Sequence, residues 1–174
     1  MSGVTIAGPA ALSALPGVSS APSSRGTFSA FVEALGQRES GGHYGAFNDI
    51  GYIGKFQFGE AALQDTGYYL GDSTSNTNDW TGSWTGLDGV RSLSDFMHNV
   101  FAQEAAVRSL MMRNWQTLER IHATDYLGEV AGGVSVTASG LLAGAHLGGP
   151  GAVKRYLRTD GRENPSDGAT DVRT

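Results

Sequence analysis

The strongest constraint on the fold is an amphipathic helix that carries a carboxylate at its end and is then broken by two glycines. Four apolar side chains recur with the i, i+3, i+4, i+7 spacing of one helical face: Phe28, Phe31, Val32 and Leu35. Glu39 follows Leu35 by four residues, so it lies on the same inward-facing side. Burial disfavours the ionised form of a carboxylate, and a general acid must hold its proton near neutral pH. The pattern therefore predicts a helix over 27–39 with Glu39, a candidate general acid, at its end.

A second informative segment, Gly54-Lys55-Phe56-Gln57-Phe58-Gly59, begins fifteen residues after Glu39. The amide of Gln57 has donors and acceptors that suit the N-acetyl and hydroxyl groups of a sugar, although a structural amide within a turn is the alternative. Ser40 also has two interpretations. Its hydroxyl either orients Glu39 or satisfies a free carbonyl at the helix end.

Together these motifs resemble the catalytic region of lytic transglycosylases in the lysozyme-like superfamily. The resemblance rests on Glu39-Ser40-Gly41-Gly42 with Tyr44 and Asn48, on Gly51-Tyr52-x-Gly54-x-Phe56-Gln57-Phe58-Gly59, and on their spacing. It covers residues 28–160. A third motif of the family, of the Ala-Tyr-Asn type, would fall at Ala145-His146-Leu147-Gly148-Gly149, where His146 and Leu147 replace the usual tyrosine and asparagine.

The resemblance implies a specific reaction on peptidoglycan. Glu39 would protonate the glycosidic oxygen between N-acetylmuramic acid and N-acetylglucosamine, and would then accept the proton of the muramoyl C6 hydroxyl. That hydroxyl closes on C1 and leaves a 1,6-anhydro ring, so one carboxyl group suffices where most glycosidases need two. A second carboxylate facing Glu39 would instead allow hydrolysis by a lysozyme; the candidates are Asp49, Glu60 and Glu104. Outside the motif, a helix-end glutamate paired with Arg38 is the plain alternative for Glu39.

Aromatic and polar side chains around the motifs are the candidate glycan contacts, because aromatic rings bind the apolar faces of sugars. The predicted contacts are Ser40, Tyr44, Tyr52, Gln57, Phe58, Gln103 and His146. Alternation along the chain sends about half of such rings into the core, so Phe56 and Phe58 are expected to divide between core and groove wall. Trp80 and Trp84 either line one end of the groove or fasten their loop to the core.

The composition excludes several classes of protein. There is no cysteine, so disulfides and thiolate metal sites are excluded, and His43, His98 and His122 lack the spacing of a metal site. We therefore expect neither a metal nor another cofactor. The net charge of -5 argues against a nucleic-acid partner. No apolar run is long enough to cross a bilayer, so membrane insertion is not expected.

The predicted fold is mainly α, an α+β lysozyme-like domain in which helices and a small β or loop element flank a substrate cleft. Residues 1–26 are predicted to be a flexible leader, 27–160 the lysozyme-like transglycosylase domain and 161–174 a polar tail. Besides the first helix, we expect a turn-rich segment at 41–59, a short helix at 60–66, a long loop at 71–92, a helix capped by Ser94 with a continuation or successor to 121, a helix at 138–147, a sharp turn at 148–151 and a last short helix.

The leader lacks the positively charged start of a secretory signal, and Pro9 and Pro16 interrupt its apolar runs. The chain is therefore expected to reach the periplasm and cell wall by another route, through a holin, a virion or a secretion system. The expected partners are peptidoglycan strands and, beyond them, a secretion apparatus, a virion component or an immunity or inhibitor protein. A non-catalytic peptidoglycan-binding or virion-structural protein is the alternative from a different functional class.

Overall fold

A computed structural model describes residues 27–72, 74 and 77–163. It is mainly helical, with 54% helix and one two-stranded sheet, which confirms the mainly-α prediction. The helices are α1 Phe28–Ser40, α2 Glu60–Asp65, α3 Leu93–His98, α4 Val100–Arg120, α5 Ala138–Gly148 and α6 Pro150–Arg158. The strands β1 Val130–Ala131 and β2 Val134–Ser135 pair antiparallel, with Ala131 opposite Val134. The predictions for the leader 1–26, and for the tail from residue 164 onward, lie outside the described residues.

Helix α1 matches its predicted range to within one residue because both of its ends are marked in the sequence. Thr27 Oγ1 accepts a hydrogen bond from the Ala30 N–H at 3.2 Å, which caps the first turn. Gly41 ends the helix with a φ of 66°, and its N–H bonds the Gln37 carbonyl. Val32 and Leu35 are buried, so the apolar face points into the core as expected.

The helix predicted from Ser94 is wrong in its start and in its apolar face. Ser92 is the cap, and its Oγ accepts from the Asp95 N–H at 3.1 Å. The chain leaves helical geometry at Asn99, whose Oδ1 then caps α4 by accepting from the Ala102 N–H at 2.9 Å. This break starts α4 in a new rotational phase. Phe101, which one continuous helix would place on the same face as Met97 four residues earlier, is 69% exposed. The buried face of α4 consists of Ala102, Gln103, Ala106, Val107, Leu110, Met111, Trp115 and Leu118.

The turn-rich segment at 41–59 contains the small β element that was expected. Ile53 forms isolated antiparallel bridges with Phe47 on one side and with Phe58 on the other. Gly54 has a φ of 75°, and a Cβ on it would meet the Gln103 side chain. The segment therefore lies directly against α4, and glycine is favoured at this position by its positive φ and by the space that the Gln103 side chain occupies.

The remaining predictions mostly agree with the structure. The short helix expected at 60–66 is α2, and Thr137 caps α5 by accepting from the Gly140 N–H at 3.0 Å. The turn expected over four residues narrows to Gly149, because Pro150 already begins α6. The hairpin of β1 and β2 was not predicted. None of the helices in the described part of the chain combines the length and the apolar character that a membrane span requires.

Candidate functional site

The end of α1 is tied directly to the second motif through Ser40. The Ser40 hydroxyl donates to the Lys55 carbonyl at 2.8 Å and accepts from the His43 N–H at 3.0 Å. Its Oγ also lies 3.3 Å from the Gly36 carbonyl, one helical turn earlier. This geometry supports the backbone-satisfying interpretation of Ser40. It also fixes the half-buried Glu39, one residue before, beside the Gly54–Gly59 turn.

Lys55 holds this turn between two helices by its charge. Its side chain is 4% exposed, and Nζ lies 2.6 Å from Glu33 Oε2, 3.1 Å from Glu104 Oε1 and 3.3 Å from the Tyr44 hydroxyl. Burial alone would lower the pKa of Lys55, but the hydrogen bonds to Glu33, Glu104 and Tyr44 outweigh burial and raise that pKa well above its usual value. Lys55 is therefore a permanent positive charge.

Tyr44 and Glu104 belong to the same charged network. The Tyr44 hydroxyl donates to Glu104 Oε1 at 2.8 Å, and burial, followed by this bond, raises the pKa of Tyr44. Glu104 Oε2 lies 3.8 Å from Arg108 Nη2, one helical turn along α4. Glu104 thus has a structural role, because it joins Lys55, Tyr44 and Arg108 in one network.

Gln57 uses both ends of its amide within the turn. Its Oε1 accepts from Asn48 Nδ2 at 2.9 Å and its Nε2 donates to the Gly54 carbonyl at 3.0 Å. The φ of Gln57 is 48°, in the left-handed region that non-glycine residues seldom occupy. The half-buried amide retains one N–H and one lone pair for a ligand. Gln57 therefore has the structural role and keeps part of its capacity to bind a sugar.

Two of the predicted glycan contacts, Phe58 and Gln103, are placed in the interior. Phe58 is 1% exposed and its ring makes an edge contact with Phe96, with centroids 5.6 Å apart. Gln103 is fully buried; its Oε1 accepts from the Lys55 N–H at 2.9 Å and its Nε2 donates to the Tyr44 carbonyl at 3.0 Å. Gln103 thus holds both motif segments against α4, and neither side chain is accessible to a glycan. Phe56, the other ring left open between core and wall, is buried as well.

Tyr52 keeps the position predicted for it at the surface. It is partly exposed at the tip of the turn-rich segment, together with Phe47 and Ile50. Asn48 shapes this tip, because its Oδ1 accepts the N–H groups of both Ile50 and Tyr52. Three apolar side chains in one short exposed loop form a surface that suits the apolar face of a sugar ring.

His146 reaches the motif region from α5. Its ring lies against the backbone of Phe56, and its Nδ1 is buried without a hydrogen-bond partner among the described residues. Burial lowers the pKa of His146 to about 4, although the contact with the Phe56 backbone opposes part of this shift. The imidazole is therefore neutral at neutral pH. All three sequence motifs thus meet at residues 54–57, and we call Glu39, Ser40, Gln57 and His146 the Glu39 site.

Of the two arrangements considered for Trp80 and Trp84, the structure has the one in which they fasten their loop to the core. Trp80 is buried, and its Nε1 donates to the Gly51 carbonyl at 2.7 Å. Trp84 stacks on Trp80 with ring centroids 5.7 Å apart, and both rings make edge contacts with Tyr69. They fasten the loop between α2 and α3 to the core and to the turn-rich segment.

Sequence reasoning missed Lys55 and Glu33, although they organise the site. The available signal was a lysine between Gly54 and Phe56, inside a run that is otherwise apolar or amide-bearing. A charge in such a run requires a partner, and Glu33 lies on the exposed side of α1. The sequence also gave no sign that Glu60, Asp72 and Asp79 would place one carboxylate oxygen each within 4.8 Å of one another.

No protein-family model, curated protein or solved structure matches this chain. The interpretation of the Glu39 site therefore depends on its own residues.

Proposed function

We propose that this protein is a peptidoglycan lytic transglycosylase of lysozyme-like fold and that Glu39 is its catalytic acid and base. The observation that carries the proposal is the 2.8 Å hydrogen bond from the Ser40 hydroxyl to the Lys55 carbonyl. This bond brings the Glu-Ser helix end against the Gly-x-x-Gln turn. His146, which occupies the third motif, contacts the next residue, Phe56. Three motifs that are distant in sequence but adjacent in space support a shared site.

In the proposed reaction, Glu39 protonates the glycosidic oxygen as the bond from C1 of N-acetylmuramic acid breaks. The resulting carboxylate accepts the proton of the muramoyl C6 hydroxyl as its oxygen bonds to C1. The products are a 1,6-anhydro-muramoyl end and a free N-acetylglucosamine hydroxyl, so Glu39 regains its proton and water is not consumed. Acid and base steps of this kind each contribute roughly 10²–10⁴-fold to a rate.

The positions of the other candidate carboxylates favour transglycosylation over hydrolysis. Glu104 is paired with Lys55 and accepts the Tyr44 hydroxyl, so it is not free to activate water. Glu60 is 3% exposed and faces two other carboxylates. Asp49 lies exposed in the turn-rich segment. The single-carboxylate reaction needs no second acidic group, so the engagement of Glu104 and Glu60 in other contacts supports it.

The other residues of the region have supporting roles in this proposal. Tyr52 provides a platform for a sugar ring, and the remaining N–H of Gln57 donates to an N-acetyl or hydroxyl oxygen. The neutral imidazole of His146 takes the place of the family's tyrosine as a hydrogen-bonding group. The enzyme would act on the cell wall from the periplasm after delivery by a holin, a virion or a secretion system, as a phage lysin or a secreted effector.

Mass spectrometry of the soluble products from purified peptidoglycan tests the proposal. The unmutated protein should release anhydro-muramoyl ends, Glu39→Gln should release none, and the exposed Glu129→Gln should match the unmutated protein. Reducing muramoyl ends would indicate hydrolysis by a muramidase. Asp49 would then be the first residue to replace in a search for the second catalytic carboxylate. If folded protein releases nothing but still sediments with peptidoglycan, the protein is a binding or virion-structural protein and the proposal is wrong.

A further inference from the structure

Asn48 connects the two groups that the proposed function assigns to the sugar, Tyr52 and Gln57. Its Oδ1 accepts the Tyr52 N–H at 2.9 Å and the Ile50 N–H at 3.1 Å. Its Nδ2 donates to Gln57 Oε1 at 2.9 Å. The backbone N–H of Asn48 also donates to the Tyr52 carbonyl at 3.1 Å. One half-buried side chain therefore fixes both the exposed tip of the turn-rich segment and the amide of Gln57.

The direction of these bonds is set by backbone groups, which cannot exchange donor for acceptor. The N–H groups of Ile50 and Tyr52 only donate, so the Asn48 atom that faces them is its oxygen. Nδ2 of Asn48 must then face Gln57, which turns its Oε1 toward it. At the other end, Gln57 Nε2 donates to the Gly54 carbonyl at 3.0 Å, and a carbonyl only accepts. Backbone groups at both ends of this relay thus require the same orientation of the Gln57 amide.

The backbone of Gln57 provides a second, independent reason to assign its side chain a function. Its φ is 48°, a left-handed value that glycine adopts freely and that is strained for a residue with a Cβ. Strained residues of this kind cluster at active sites and ligand contacts, where the surrounding structure holds them in place. Here the Gly54 carbonyl accepts the backbone N–H of Gln57 at 3.1 Å as well as its side-chain amide, and Asn48 holds the far end of that amide.

We infer that Asn48 is a positioning residue, which orients the Gln57 amide so that Nε2 donates to the carbonyl oxygen of a sugar N-acetyl group. This role rests on the proposed function, because it takes Gln57 to be a glycan contact. A sugar hydroxyl both donates and accepts, so it could pair with either end of an amide that had turned over. An N-acetyl carbonyl only accepts, so it requires the N–H that the contacts with Asn48 and Gly54 keep in place. Asn48 thus acts through Gln57 and not by contact with the glycan.

Replacing Asn48 with aspartate removes the donor and keeps the other contacts. One carboxylate oxygen still accepts the N–H groups of Ile50 and Tyr52, so the tip of the turn-rich segment is retained. The second oxygen faces Gln57 Oε1, and two acceptors cannot bond each other. The Gln57 amide must therefore turn over or lose this contact, and in either case its spare N–H is no longer held for the sugar.

Asn99→Asp is the matched control, because Asn99 makes the same kinds of bond outside the site. Its Oδ1 accepts a backbone N–H, that of Ala102, at 2.9 Å, and its Nδ2 donates to a backbone carbonyl, that of Asp88, at 3.2 Å. Aspartate at this position keeps the cap of α4 and removes the same amide donor. Any general effect of the exchange of asparagine for aspartate therefore appears in both variants.

Titration of the isotope-labelled full chain with N,N′,N″-triacetylchitotriose, followed by NMR, measures the affinity for N-acetylated sugars. Asn48→Asp should bind this trimer roughly tenfold more weakly than the unmutated chain, since the oriented hydrogen bond is lost. Asn99→Asp should bind it as the unmutated chain does. The spectrum of each variant without sugar reports whether it folds. Equal affinities of Asn48→Asp and Asn99→Asp would overturn the inference.

A double-mutant cycle separates positioning from a purely structural role. Gln57→Ala alone should weaken binding of the trimer about as much as Asn48→Asp does, and Asn48→Asp should have no further effect in the Gln57→Ala background. If Asn48 only shaped the exposed tip, its replacement would still weaken binding in that background, and the inference would be wrong. An unchanged affinity of Gln57→Ala, or no binding by the unmutated chain at millimolar trimer, would also overturn it. Because the titration needs no turnover, a chain that binds the trimer through Gln57 but releases no anhydro-muramoyl ends would refute the proposed reaction alone.

Discussion

Lys55 Nζ lies 2.6 Å from Glu33 Oε2, and this ion pair joins the helix that carries Glu39 to the turn that carries Gln57. The same ammonium group reaches Glu104 on α4 at 3.1 Å. Glu33 is exposed, so its ion pair with Lys55 contributes little to stability. The less exposed contacts of Lys55 with Glu104 and Tyr44 contribute most of the stabilisation. One lysine therefore fixes the relative positions of α1, α4 and the second motif.

Replacing Lys55 with methionine should destabilise the fold because Glu104 and Tyr44 would lose their buried cationic partner. We expect the free energy of unfolding to fall by about 2–4 kcal/mol in urea titrations. Lys154→Met is the matched control. Lys154 Nζ contacts an exposed backbone carbonyl and the Tyr126 ring, so its loss should cost less than about 1 kcal/mol. Similar losses in both variants would contradict the special role of Lys55.

Replacing Gly54 with alanine should be much more destabilising than the same change at Gly133. Both glycines have positive φ, 75° and 79°, so alanine costs about 1–2 kcal/mol of backbone strain at either position. A Cβ at Gly54 would also overlap the buried Gln103 amide, whereas a Cβ at Gly133 meets nothing within 4 Å. The Gly54→Ala loss should therefore exceed the Gly133→Ala loss by roughly 1–3 kcal/mol in denaturant titrations. Equal losses of stability in the two variants would show that the Gln103 side chain moves aside at little energetic cost.

The helices could be predicted from the sequence wherever a capping residue adjoins a periodic apolar face. Thr27 with Gly41 marks α1 and Thr137 marks α5, so both boundaries were predicted to within a residue. The failure came at Asn99, where a single residue ends α3 and caps α4. Both flanks continue the apolar pattern through this break, so periodicity alone indicates one helix. The short hairpin at 130–135 was missed because two-residue strands carry almost no alternation.

The site could be predicted as a set of motifs but not as a network. Periodicity indicated that Glu39 lies at the end of α1, and the resemblance to lytic transglycosylases implied that Ser40 and Gln57 lie near it. Nothing in the sequence indicated that the side-chain amide of Gln103, forty-eight residues after Lys55, would form hydrogen bonds with the backbone of both Lys55 and Tyr44. A buried glutamine and an exposed one look alike in a sequence, because the distinction depends on which backbone groups the fold leaves unpaired.

Replacing Ser40 with alanine should lower the rate of glycan cleavage while the fold survives, if the proposed function is correct. Loss of the bond to the Lys55 carbonyl costs about 1 kcal/mol of stability and lets the helix end, with Glu39, shift against the turn. Misplacement of a reacting group by about 1 Å can cost on the order of 10²-fold, so we expect a 10–10²-fold slower release of muropeptides. Ser94→Ala, at an exposed serine on α3, is the control and should retain full activity. An unchanged rate for Ser40→Ala would show that the bond does not position Glu39.

The depressed pKa of His146 should make stability depend on pH in a specific window. The pKa is about 4 in the folded protein and 6.5 for an unperturbed histidine, so below pH 6.5 the unfolded chain binds a proton that the folded chain excludes. The contribution of His146 is therefore complete above pH 6.5 and is lost progressively as pH falls toward 4. The total loss is on the order of 3 kcal/mol, since one pKa unit corresponds to about 1.4 kcal/mol.

Urea titrations between pH 4.5 and 7.5 measure this dependence by comparing variants rather than absolute slopes, because carboxylates also titrate at the lower end. His146→Gln removes the ionisable ring, so the stability difference between this variant and the unmutated protein should narrow as pH falls through the window. His98→Gln, at an exposed histidine on α3, should differ from the unmutated protein by a constant amount. If the His146→Gln difference is also constant with pH, the ring is accessible to protons in the folded state, and burial does not keep it neutral.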